Sequence, residues 1–161
     1  MRQPATLDYR QGRPPATPWS RARSDFRTAT WIMTVLVAFG IFGIVASLSD
    51  YRQGEGSLAD VTEAIVWNLA TLLFTVGYAV GHRRLTTHTL AAAYFCRRVA
   101  RLNFLVWAAW MAADTISGLT APDIGVPCLA IGSLVIAWAL VLLPVWLALR
   151  AHQCVRAARR A

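Results

Sequence analysis

The chain contains no lysine; all sixteen of its basic residues are arginine. That usage reads as GC-rich coding and predicts a bacterial source. Acidic residues are also scarce, eight in all, leaving a net charge of +8. Cysteine is limited to Cys96, Cys128 and Cys154, an odd number spread over separate segments with no CxxC and no Cys/His cluster. Three unpaired thiols are expected, and neither a disulfide framework nor a zinc site. No HExxH, Gly-rich phosphate loop or Ser/His/Asp set is present. His82, His88 and His152 fall beside the apolar blocks rather than inside them, so a haem held by two facing histidines within the bilayer is not expected. The sequence thus predicts no cofactor, no metal and no catalytic residue.

What is abundant is apolar surface. Of 161 residues, 57% are hydrophobic and only 15% are charged, with a mean hydropathy of +0.46. A soluble domain of this size needs more polar surface, because small domains have a high surface-to-volume ratio. The excess is gathered in four blocks, about 31–48, 61–81, 99–119 and 126–149. Each suits a helix crossing about 30 Å of hydrocarbon at about 1.5 Å per residue. Open strands would leave backbone groups without partners in lipid. The expected fold class is therefore all-α, an integral membrane four-helix bundle.

Charge sets the threading. Arginines fall before the first block, between the second and third, and after the fourth; only Arg52 of the sixteen lies elsewhere. Asp50, Glu55, Asp60, Glu63, Asp114 and Asp123, six of the eight acids, lie in the alternate connections. Because arginine-rich loops stay inside, both termini and the 82–101 connection are expected in the cytoplasm. A cleaved signal peptide does not fit the first block, which follows 28 hydrophilic residues and is too long for a usual h-region. Residues 1–28, with Pro4, Pro14, Pro15 and Pro18, read as a disordered basic cytoplasmic arm, disorder reaching to about residue 18, with Trp19 and Phe26 at headgroup depth. Residues 29–150 form the four-span domain and 151–161 a basic cytoplasmic tail. The 82–101 connection, free of Gly and Pro between His82 and Arg101, is expected to be helical from about Thr87, extending the third helix or lying flat.

The most informative stretch is "VWNLATLLFTVGYAVGHRRL", residues 66–85. Asn68, Thr71, Thr75 and Tyr78 follow 3-4-3 spacing and share one helix face, which should point into the bundle because a lipid-facing Asn is costly. The third block carries a matching stripe, Asn103, Trp107, Trp110, Asp114 and Ser117. Two readings stay open for these faces: glue between helices, or the lining of a polar path. Asp114 either ends a span or forms an ion or partner site. If the second and third helices are antiparallel neighbours, Asn68 should approach Trp110 or Asp114. Asp60 and Glu63 suit the positive end of a helix dipole. Gly77 and Gly81 form a GxxxG, and Gly40 and Gly43 place small residues in the first helix; all four are expected at helix–helix contacts. Pro144 should kink the fourth helix by removing a bond to the Leu140 carbonyl.

In length, span number and cytoplasmic termini the outline is similar to that of the small permease subunits of tripartite periplasmic transporters. Glu63, Trp67, Gly77 and His88 can be laid along that family's pattern of an aromatic and acids opening the second span and a Gly then a His closing it. The family's paired Glu is missing here, and Trp67 is displaced. The resemblance implies a transporter subunit using the polar faces of helices 2 and 3. Proton-coupled small multidrug exporters share the span count but need a central Glu in the first helix, which this chain lacks. The residues themselves point to a non-catalytic inner-membrane protein, an accessory or assembly subunit. Its expected partners are anionic lipid headgroups at the arginine-rich face and other membrane subunits or further copies of itself. Nucleic acid is not expected, since the arginines are sorted by loop.

Overall fold

A computed structural model describes residues 17–120 and 127–160; within these, the side chains of Asp114, of residues 116–120 and of residues 127–140 are not described. The described residues form four α-helices: α1 (Pro18–Gln53), α2 (Leu58–Arg84), α3 (Leu90–Thr120) and α4 (Pro127–Arg160), with a 3-10 turn at Leu85–Thr87.

Local chemistry sets the helix limits. Thr17 caps α1 by accepting from the Ser20 amide at 3.2 Å, and Pro18 follows at the first helical position, where its missing N–H costs nothing. At the other end Gly54 adopts φ 79°, a left-handed conformation that lets its amide reach the Asp50 and Tyr51 carbonyls. α2 opens on a reciprocal capping box. The Ser57 amide donates to Asp60 Oδ2 at 2.8 Å and the Asp60 amide donates to Ser57 Oγ at 3.3 Å. The Ser57 hydroxyl, donating to Asp60 Oδ2 at 2.7 Å, and then the Ser57 amide hold the Asp60 carboxyl below its ordinary range. His88, at φ 52°, separates α2 and its turn from α3, and Thr89 accepts from the Ala92 amide at 3.2 Å as α3 begins.

Each helix packs antiparallel on its neighbours in sequence, and α4 closes back on α1. Residues such as Asn68 and Val37, Asn103 and Tyr78, and Asp25 and Arg150 define this register. One end of the assembly therefore gathers the start of α1, the α2–α3 connection and the finish of α4. This is the arginine end; the opposite one is the acid end.

Among the described residues, the main buried cluster lies at the arginine end. Phe26, Tyr78, Cys96, Leu147 and Cys154 are fully buried there, with Ala22, Ala29, Ala93, Ala100 and Ala151 letting the helices approach. Gly77 and Gly81 belong to the same contact. A Cβ on Gly77 would lie 2.9 Å from Val99 Cγ1, and one on Gly81 3.0 Å from Cys96 Sγ and 3.1 Å from Phe26. Beyond Met33, by contrast, α1 buries no residue. α1 and α2 are long and apolar enough to cross a membrane.

Several expectations need correction. Residues 18–28 are not disordered: they form the first three turns of α1, because Thr17 caps them and Ala22 and Phe26 supply a buried face. Residues 1–16 of the expected arm lie outside the described residues. α4 likewise runs through residue 150 to Arg160, burying Ala151, Cys154 and Val155. The 82–101 connection takes the first of its two expected forms, with α3 starting at Leu90, one turn beyond Thr87. Gly43 meets nothing within 4 Å of a Cβ built on it, so it packs against no neighbour. Pro144 lies buried inside α4, at the position where the sequence places a kink.

Candidate functional site

The polar stripe of α2 divides between two partners. At the acid half, Asn68 turns toward α1 rather than α3, its Nδ2 donating to the Val37 carbonyl at 3.2 Å. Gly40 makes the approach possible: a Cβ there would stand 2.6 Å from Asn68 Nδ2. The expected meeting of Asn68 with Trp110 or Asp114 therefore does not occur for Trp110, and the Asp114 side chain lies outside the described residues. Thr71 and Thr75 spend their hydroxyls on the Trp67 and Thr71 carbonyls, each at 2.8 Å. Such back-bonding satisfies a hydroxyl without a neighbouring helix.

Toward the arginine end the stripe meets α3. Tyr78 and Asn103 are both buried, and Asn103 Nδ2 donates to the Tyr78 hydroxyl. Phe26 of α1 stands edge-on to the Tyr78 ring, with centroids 5.6 Å apart. Asn103 Oδ1 has no hydrogen-bond partner. One side-chain bond thus joins the two polar stripes in the middle of the assembly.

A second constellation lies where α2 and α3 approach the acid end. Trp67 packs against Trp110 with centroids 4.4 Å apart and against Trp107 at 6.1 Å. Glu63 Oε1 accepts from the indole N–H of both Trp67 and Trp110, each at 3.4 Å. The sequence suggested only a helix-dipole role for Glu63; here it clamps two helices through their tryptophans. Its i, i+4 spacing to Trp67 was the available signal.

The arginine end carries most of the remaining polar chemistry. Asp25 of α1 and Arg150 of α4 form an ion pair at 2.9 Å, and the Arg150 guanidinium also lies 4.3 Å from the Trp146 ring centroid. His82 Nδ1 lies 3.1 Å from the Arg23 carbonyl. His88 stacks on Trp19 at 5.3 Å, and Arg84 sits 4.6 Å over Phe95. A cleft of about 470 Å³ lies beside these rings, lined by Thr17, Trp19, Arg23, Arg27, His82 and His88. A smaller one of about 320 Å³ lies between α3 and α4.

Cys96 and Cys154 are free thiols. Burial pushes Cys96 up to about 12, with the neighbouring Cys154 adding to the effect, and pushes Cys154 up to about 11. Thiolate is the reactive form, so burial disfavours reaction at both sulfurs. The Cys128 side chain lies outside the described residues. Burial and then Arg156, Arg97, Arg101 and Arg159 hold the His152 ring below its ordinary value. Among the described residues no group of three His, Cys, Asp or Glu side chains could hold a metal ion.

Compared with family models, with curated proteins and with solved structures, the chain matches none of them.

Proposed function

We propose that this is a bacterial inner-membrane protein of four spans, with both termini cytoplasmic, no catalytic activity of its own, and a role as an accessory or assembly subunit of a larger membrane complex. The observation that carries the reading is the bare surface of α1. Val35, Phe39, Phe42 and Val45 are each more than half exposed on a helix apolar enough to span a bilayer. Water disfavours such a surface, whereas lipid or a second apolar helix covers it without penalty. The sorting of arginine and acid to opposite ends supports the orientation, since arginine-rich segments stay on the cytoplasmic side.

The polar stripes support a packing role. Asn68 and Tyr78 bond across to α1 and α3, and polar side chains bonded across helices are a usual adhesive in lipid, while Thr71 and Thr75 are satisfied within α2. The exposed face of α1 then serves as the contact surface for other subunits or for a second copy.

Two measurements test the proposal. A fluorescent reporter after residue 161 should glow in the cytoplasm, and a periplasm-dependent phosphatase inserted at Gly54 should be active; the reverse pattern would overturn the threading. A photo-crosslinking residue at Phe42, followed by gentle detergent extraction, should capture a defined membrane protein or a second copy. Recovery of a lone monomer with reproducible turnover would defeat the subunit reading.

A second reading rests on Glu63. A carboxylate joined to Trp67 and Trp110 near the acid end offers a cation-attracting group at the outer end of α2 and α3, where a transporter subunit would first meet its substrate. Glu63→Gln and Asp114→Asn should then each impair uptake in the host. Unchanged uptake in both would remove this alternative.

A further inference from the structure

Where α3 and α4 run together at the arginine end, their outer surface is hollowed into the smaller cleft. Phe104 of α3 with Pro144 and Ala148 of α4 supply an apolar floor, and Arg97, Arg101 and His152 line the part nearer the helix ends. Pro144 and His152 are eight residues apart, so the cleft runs along about 12 Å of helix. Its character changes along that length from hydrocarbon to cationic.

Arg97 and Arg101 stand one turn apart on the same face of α3, and among the described residues no carboxylate lines the cleft. The one described acid–base pair nearby, Asp25 with Arg150, is already complete. His152 Nδ1 is buried and has no hydrogen-bond partner. The same ring is biased toward its neutral form by burial and by four surrounding arginines, Arg97 and Arg101 among them, which reports an unrelieved positive potential. A ligand that answers all of this needs an anionic group at one end and a hydrocarbon chain at the other.

We propose that the cleft binds an anionic glycerophospholipid, its phosphate held by Arg97, Arg101 and His152 and one acyl chain laid over Phe104, Pro144 and Ala148. The proposal rests on the four-span reading, which puts the cationic part of the cleft at headgroup depth and the apolar part in the hydrocarbon. Basic pockets between spans on the cytoplasmic side are suited to such headgroups. A free phosphate would leave the apolar floor unoccupied, and a zwitterionic lipid would leave the arginine charge unmatched.

The test is native mass spectrometry of the purified full chain in detergent, titrated with phosphatidylglycerol or with phosphatidylcholine of identical chains. Phosphatidylglycerol should bind about tenfold tighter or more, as expected from two arginines acting on one headgroup. The double variant R97Q/R101Q should erase that preference. R83Q/R98Q, which removes the same charge from exposed arginines outside the cleft, should keep it. Ala148→Phe, which fills the floor, should weaken phosphatidylglycerol as well, and excess inorganic phosphate should not displace the lipid.

Equal binding of the two lipids, equal losses in both arginine pairs, or displacement by inorganic phosphate would each overturn the proposal. Circular dichroism follows the fold of each variant; should Ala148→Phe unfold, the comparison of the two arginine pairs decides alone. A protein that partitions into the aqueous fraction without detergent would refute the spans themselves. A protein that stays in the membrane but shows no lipid preference would refute only this site.

Discussion

The two ends of this molecule are held by different chemistry. At the arginine end, four helices close over Phe26, Tyr78, Cys96 and Leu147, every one fully buried, and the Asp25–Arg150 pair ties the first helix to the last. Toward the acid end, α1 leaves the buried cluster at Met33 but stays packed on α2 through a half-buried face that includes Leu36, Val37, Gly40 and Ile44, with Asn68 bonded to the Val37 carbonyl. The Trp67, Trp107 and Trp110 cluster binds α2 to α3. The contrast teaches that apolar character alone does not say which residues turn inward: Phe26 is buried and Phe42, on the same helix, is exposed. On the four-span reading lipid covers an exposed Phe without penalty, so small and polar residues help the tightly packed apolar ones to fix the geometry.

The widest separation should come from two phenylalanines on the same helix. Phe26→Ala opens a cavity in the shared core and should destabilise the protein by about 3–5 kcal/mol. Phe42→Ala, at a side chain 72% exposed, should change the unfolding midpoint by no more than about 0.5 kcal/mol. Thermal or denaturant unfolding in micelles reads both, and equal costs would erase the distinction between the ends.

Two glycines sharpen the comparison further. Gly40→Ala should cost about 1–3 kcal/mol, because the new methyl collides with Asn68 and displaces it from Val37. Gly43→Ala, three residues away and facing open space, should instead stabilise the helix by up to about 1 kcal/mol.

Asn103→Leu tests the central polar bond. Its loss should cost about 0.6–1.7 kcal/mol, the range for side-chain hydrogen bonds between helices in lipid. Smaller still is Asp25→Asn, expected to cost less than about 1 kcal/mol, because both partners of the ion pair keep contact with solvent. The smallest effect is one of pH. The folded His152 titrates below its ordinary 6.5, so the unfolded chain takes up the proton first as acid is added. Stability should be full above pH 6.5 and should fall as pH drops through the interval down to the lowered folded value. His152→Gln should flatten that dependence, as unfolding midpoints at neutral and mildly acidic pH would show.

Much of the helical organisation could be read from residue order. Apolar blocks set the positions of α1 and α2, and the 3-4-3 spacing put Asn68, Thr71, Thr75 and Tyr78 on one face. Spacing along a helix cannot say which neighbour a face meets, and that is why Asn68 was paired with α3 when Gly40 of α1 is the surface small enough to admit it. The same limit hid the Asp25–Arg150 pair, whose members are far apart in sequence, one in a segment that read as a loose arm and the other at the last residue of the four-span domain. That arm looked unstructured because proline and arginine dominate the first thirty residues, yet a single Thr17 cap and two well-placed apolar side chains carry the helix back to Pro18. Gly43 failed for the opposite reason. Smallness permits close approach, but only a partner helix makes use of it.

The length of α1 has a geometric consequence. Its 36 residues make a rod of about 54 Å, against a hydrocarbon layer of about 30 Å. α2 accompanies that rod past its midpoint, where Asn68 reaches Val37. On the four-span reading about 24 Å of α1 has to stand outside the hydrocarbon, mostly at the arginine end, where Asp25 meets Arg150.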